Sequence, residues 1–154
     1  MPTFPKNGCL LGVDYGSRRV GLAVCDEDRK VSMPLSVYER RTPTLDADWF
    51  RQLAQQHRVV GLVVGLPLHM KSGDEGQLAR DARAFGTWLS GALGLPVGYV
   101  DERLTTSLAH RLLAEAGVKA KARKGKIDKL AAQILLQTYL ETGEAAAGHS
   151  SEGR

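Results

Sequence analysis

Residues 59–67 read VVGLVVGLP, nine positions without one polar side chain. The run is too short for a membrane span and is bounded by glycine and proline. A continuous apolar run of this length reads as a strand buried on both faces, the kind found in a parallel sheet covered by helices. A second such run, LPVGYV (95–100), ends at Asp101 and Glu102. Between and around these runs the hydrophobic period changes to helical. Leu45, Trp49, Phe50, Leu53 and Ala54 share one helix face, and Leu78, Ala82, Phe85 and Leu89 share another. These features require strands separated by helices, an α/β fold.

Upstream, the stretch LLGVDYGSRRVGLAV reads as a hairpin: Cys9–Val13 and Val20–Cys25 are strands and Tyr15–Arg19 is the turn. Symmetry about Ser17 would place Cys9 opposite Cys25 and Asp14 opposite Val20. Val31–Tyr38 is a third strand, and Pro34 suits an edge position. Downstream, a helix is predicted from about Thr105, as N-cap, to Ala116. A basic loop VKAKARKGK follows, then a last helix over Ile127–Leu140. The order βββ-α-β-α-β-α-α gives a mixed five-stranded sheet, order 3-2-1-4-5, with helices on its faces. One domain is expected over residues 1–141, with a polar tail at 142–154.

Lysine and arginine outnumber the acids by 21 to 17, for a net charge of +4, a modest sign of a polyanionic partner. No apolar stretch resembles a signal peptide or a membrane span, so a cytoplasmic protein is expected. The two cysteines and four histidines have no metal-ligand spacing, and the cysteines are expected as free thiols.

In an open sheet of this order, ligands sit outside the carboxyl ends of the parallel strands. Asp14 ends the first strand, and Asp101 and Glu102 end the fifth. Between them the fourth ends in GLP, where Gly65 leaves space. On a straight helix, Asp128 shares a face with Ala131, Ala132 and Leu135, and so points inward. Three converging carboxylates repel one another and need a cation or shifted pKa values. An all-oxygen set suits Mg²⁺ or Mn²⁺, which serve phosphoryl transfer by activating water and stabilising charge. Alternation along a regular strand would point Asp101 and Glu102 to opposite faces. Either Asp101 or Glu102 could therefore join Asp14 and Asp128.

Four segments, GVDYGSRRVGLAV, VVGLPLHMKSGDEG, DERLTT and KGKIDKLAAQILLQTYL, resemble in order and spacing the YqgF family of pre-16S ribosomal RNA nucleases, also described as Holliday junction resolvases. The resemblance spans Leu10 to about Leu140. It implies an RNase H-like fold and a metal-dependent nuclease that uses Asp14, Glu102 and Asp128 as catalytic and metal-holding residues. It also implies 5′-end maturation of the 16S ribosomal RNA precursor, with Holliday junction resolution as the alternative. Precursor RNA or branched DNA would be the partner, with contact to ribosomal particles, and the state would be monomer or homodimer. His69 departs from the polar residue such as asparagine expected after GLPL, without touching the three acids.

Arg18 and Arg19 adjoin Asp14, and Lys124 and Lys126, with Lys119, Lys121 and Arg123, precede Asp128. These are the candidate phosphate contacts. No basic segment is interleaved with aromatics, so no base-stacking platform is expected. An actin-like ATPase also opens with Asp-x-Gly before a hairpin, but needs two such domains and has no Walker lysine motif here. A non-catalytic nucleic-acid-binding assembly factor on the same fold is the other rival.

Overall fold

The computed structural model describes residues 4–68 and 75–142, and within these not the side chains of 105–109, 112 and 120–129. Five strands, β1 (Cys9–Asp14), β2 (Arg19–Cys25), β3 (Ser32–Glu39), β4 (Val59–Leu66) and β5 (Val97–Asp101), form one sheet in the order β3-β2-β1-β4-β5. β1 is antiparallel to β2 and parallel to β4, and β4 is parallel to β5. This is the mixed α/β sheet predicted. Pro34 lies in edge strand β3 beside a register irregularity at Leu22/Ala23, where a missing N–H costs little.

The β4 run is buried over seven of its eight residues because helices cover both faces. On one face, α1 (Pro43–Gln56) and α2 (Gln77–Leu93) enclose Leu11, Val13, Leu62, Val64, Phe50, Phe85 and Leu89. On the other, α4 (Ala120–Thr142) packs Ala132, Leu135 and Leu136 against Leu10, Ala23, Val63 and Val100. Alternation along β1 sorts its residues between the two: Leu11 and Val13 face α1 and α2, and Leu10, Gly12 and Asp14 face α4. The approach of α4 is close. A β-carbon on Gly12 would stand 2.9 Å from Leu136 Cβ and 3.0 Å from the Ala132 carbonyl oxygen.

The hairpin register differs by one residue from the symmetric expectation. Asp14 pairs with Gly21 and Leu11 with Val24, so Cys9 does not face Cys25. The cause is the turn. A β-carbon on Gly16 would stand 2.2 Å from the Arg19 carbonyl oxygen. Residues 16 and 19 therefore close on each other around two central residues, Ser17 and Arg18, not around Ser17 alone. Cys25 instead lies beside Leu10, whose N–H donates to its sulfur at 3.3 Å. Both cysteines are free thiols, and burial pushes both thiol pKa values up. The slip leaves Asp14 on the α4 face, since β1's own alternation and its pairing with β4 set that face.

Two helix starts also differ. The third helix, α3 (Glu102–Glu115), begins directly after β5, not at Thr105. Asp101 supplies the cap, its Oδ1 accepting from the Arg103 N–H at 2.9 Å. The basic segment is helical from Ala120 onward, because Lys, Arg and Ala favour helix and a lone Gly125 costs only about 1 kcal/mol. Within α4, Leu130 leaves helical geometry (φ −111°, ψ 16°) and kinks the helix. Of the expected tail, 142–154, Thr142 is the last residue of α4; residues 143–154 and His69 lie outside the described residues.

Candidate active site

The carboxyl ends of β1, β4 and β5 meet at one edge of the sheet. Val13 pairs with Val64, and Gly65 with Val100. Continuing those registers sets Asp14, Gly65 and the start of α3 at one level. Glu102, the first residue of α3, turns its side chain over Gly65. A β-carbon at position 65 would lie 2.6 Å from Glu102 Oε2 and 2.9 Å from its Cγ. Gly65 is thus the cradle of the Glu102 carboxylate: the space the sequence left for a reacting group or ion holds this side chain.

The Glu102 carboxyl is pushed up to about 7. Burial is the main cause, and the negative charges of Asp14 and then Asp101 add to it. Asp14 and Glu102 therefore share one electrostatic environment, on the face covered by α4. Oxygen donors forced together at the cost of raised proton affinity fit a hard divalent cation. Among the described residues no group of three or more His, Cys, Asp or Glu is placed to hold a metal.

Asp101 behaves differently from its neighbour. It is 8% exposed and bound to Arg103, whose Nε lies 2.9 Å from Oδ1 and whose Nη2 lies 2.5 Å from Oδ2. With the cap bond added, both its oxygens are engaged by Arg103. Burial and this pairing make it the anchor of the β5–α3 corner.

The side chain of Asp128 lies outside the described residues. Its backbone is in α4, before the kink. The straight-helix projection joining Asp128 to Ala131 and Leu135 does not carry across Leu130. The part of α4 beyond the kink does reach the site: Leu130, Ala131 and Ala132 line a groove with Asp14 and Gly21. Lys124 and Lys126 share Asp128's status, with helical backbone and side chains outside the described set.

Arg18 and Arg19 are exposed at the hairpin turn, at the same sheet end as Asp14. Arg19 pairs with Glu39 at 3.6 Å across β2 and β3, an exposed contact of small energetic weight. Arg18 lines a surface cleft with Ser17, Glu39, Arg40 and Arg41. Arg40 and Arg41 escaped the sequence reading because they belong to the β3–α1 connection, far along the chain. A buried acid holds that connection: Asp46, 1% exposed, accepts from the Tyr38 hydroxyl at 2.5 Å and from the Arg41 N–H at 2.9 Å. The Arg40 N–H donates to the Arg18 carbonyl at 2.9 Å, tying the connection to the turn.

Comparison with known proteins bears on the family and the fold. The family described as "RuvX: Holliday junction resolvase" matches residues 8–142. A Rhodopirellula baltica protein named "Putative pre-16S rRNA nuclease" is 40% identical over 153 residues, 97% of this chain and 87% of the relative. A protein of the same name from Cereibacter sphaeroides is 41% identical, over 92% of this chain and 88% of its own length. Among solved structures, T. thermophilus RuvC in complex with Holliday junction substrate superposes with a TM-score of 0.58 at 14% identity, covering 91% of this chain and 98% of that one. At that identity the likeness establishes the fold, which is RNase H-like. From its sequence along nearly its whole length, and with the sheet order to match, the chain belongs to the RuvX (YqgF) family of nucleases, enzymes that hydrolyse phosphodiester bonds.

Proposed function

We propose that this chain is a divalent-metal-dependent ribonuclease that matures the 5′ end of the 16S ribosomal RNA precursor in the cytoplasm. The observation that carries this reading is the placement of Glu102 over Gly65, within electrostatic reach of Asp14, at the carboxyl edge of the sheet. Asp14, Glu102 and Asp128 would hold Mg²⁺ or Mn²⁺, which when bound activates water and neutralises charge developing on the phosphate. The chain's own residues do the rest. Gly65 keeps the floor of the site open. Asp101, occupied by Arg103, holds the β5–α3 corner so that Glu102 points across the sheet edge. Arg18, with Arg19 and the Arg40–Arg41 pair beside it, and Lys124 and Lys126 on α4, attract and orient the phosphate backbone.

The names of the relatives support precursor ribosomal RNA as the substrate. The family description supports branched DNA as a second reading. Digestion of precursor ribosomal RNA, a four-way DNA junction and unstructured RNA, each with Mg²⁺ or Mn²⁺ and in chelator, separates them. The expected result is metal-dependent cleavage of the precursor RNA, abolished in Asp14→Asn, whose fold stays intact. Preferential cutting of the junction would replace the substrate. Undiminished cleavage by Asp14→Asn would refute the assignment of the site.

A further inference from the structure

Beside the carboxylate edge, on the opposite face of β1, lies a second cleft of about 310 Å³ lined by Tyr15, Arg40, Phe85 and Trp88, with Pro43, Asp81 and Ala84 at its margin. We propose that it binds one unstacked nucleobase of a single-stranded segment next to the cleaved phosphate. This deepens the nuclease reading and rests on it for the identity of the strand.

The lining has the chemistry of a stacking site. The Tyr15 and Phe85 rings are 5.2 Å apart, and Phe85 and Trp88 are 5.6 Å apart, both pairs tilted. Phe85 is buried as the floor, while Tyr15 and Trp88 are partly exposed and present their rings to the cleft. The Arg40 guanidinium sits 5.0 Å from the Phe85 centroid and 5.5 Å from that of Tyr15. It donates to the Tyr15 hydroxyl at 3.3 Å, and its Nε is 3.8 Å from the buried Asp46 carboxylate. That arrangement holds a flat cation over the Tyr15 and Phe85 rings, as one wall of the cleft. Bases stack on aromatic rings and on guanidinium planes irrespective of sequence. An Arg donor and an Asp81 acceptor on the margin meet the mixed polar edge of a base, whereas an aliphatic side chain would leave both groups without a match.

The neighbourhood identifies the base as part of a polynucleotide. Arg40 also lines the cleft of Ser17, Arg18 and Arg41. One side chain is thus shared between an aromatic slot and an arginine-rich groove, the two surfaces a nucleotide needs. Tyr15 directly follows Asp14. A strand crossing the sheet edge at this point would place one phosphate at the carboxylates and a neighbouring base against Tyr15 and Trp88. The sequence concealed the platform because its rings come from the β1–β2 turn and α2, and its arginine from the β3–α1 connection.

The test is fluorescence-anisotropy binding of the full chain to a short single-stranded RNA in chelator, where nothing is cut. A series of strands carries a single abasic residue at successive positions. The expected result is an affinity loss of about tenfold at one or two adjacent abasic positions, the range of a single stacked base. Trp88→Leu, which keeps an apolar side chain, is expected to lose a similar factor on the intact strand and almost nothing further on the responsive abasic strand. Equal affinity for all abasic strands overturns the proposal without needing any variant. So does a Trp88→Leu loss that is the same on intact and abasic strands. A variant that alters only self-association in sedimentation would assign the cleft to a second copy of the chain and overturn it too. Cleavage measured in parallel keeps the readings apart: stacking without cleavage refutes the nuclease, and cleavage without a responsive abasic position refutes the cleft alone.

Discussion

Glu102 fills the space that a side chain at position 65 would need: its Oε2 lies 2.6 Å from where a β-carbon on Gly65 would stand. The contact is with the far end of a flexible side chain, so an added methyl is cheap to accommodate and costly for function. Gly65→Ala is expected to change thermal stability little and to lower cleavage by at least tenfold, because Glu102 must swing away from Asp14. Thermal melts beside single-turnover cleavage check this, and full activity would show that Glu102 needs no such placement.

Glu102 also makes stability depend on pH in a definite direction. Its folded-state value of about 7 lies above that of an unfolded glutamate. Below about pH 4 both states are protonated and the group contributes nothing. Between there and about pH 7 the unfolded chain releases the proton and the folded chain keeps it. Stability therefore falls as pH rises through this window, and the cost is fully present above it. The metal-free Glu102→Gln variant is expected to be more stable than the parent at pH 8, by on the order of 3 kcal/mol at most, and nearly equal to it at pH 4. Urea denaturation in chelator at both pH values is the measurement, and an equal difference at the two would remove titration as the cause.

Two glycines on the α4 face predict opposite outcomes for one substitution. A methyl at Gly12 would meet Leu136 Cβ and the Ala132 carbonyl, which cannot yield without moving α4. Gly12→Ala is expected to cost about 1–3 kcal/mol. At Gly21 the nearest atoms stand 3.6 and 3.7 Å away, at ordinary contact distance. Gly21→Ala is expected to be neutral, or stabilising by about 0.5 kcal/mol, through a less flexible unfolded chain. Denaturation midpoints that rank the two variants the other way would disprove the packing argument.

Arg18 and Arg41 flank one cleft at the sheet end that carries Asp14. If each neutralises one backbone phosphate, replacing both with alanine should flatten the salt dependence of single-stranded RNA binding by about 1.4 in log–log slope, from about 0.7 per phosphate. The loss should be uniform across sequences. An unchanged slope would return both arginines to the solvent.

What the sequence disclosed and what it hid divide along physical lines. Strand order followed from the lengths of the connections and from the unbroken apolar run at 59–66, and these brought Asp14 and Glu102 to one edge. The hairpin register was hidden because one more or one fewer turn residue leaves the hydrophobic pattern nearly unchanged, and the close approach of Gly16 to the Arg19 carbonyl is not visible in that pattern. Thr105 resembled a cap, yet Asp101, already at the strand end, could accept an N–H two residues on. The basic stretch before Asp128 resembled a loop because its charges imply solvent, while the helical preference of lysine, arginine and alanine is silent in a charge count. The aromatic cleft was beyond reach, since Phe85 has an adequate core reading within its helix, and Tyr15 and Arg40 come from separate connections.

The site also bears on the chain's synthesis. Asp14 is made before β4 and β5, and its partner acid arrives only after β4 has been inserted between them and β5 laid alongside. A chain that stops short of residue 102 holds half of the acidic pair and none of the corner that aims the other half. The acidic pair is thus completed only once the central strands have found their non-local partners.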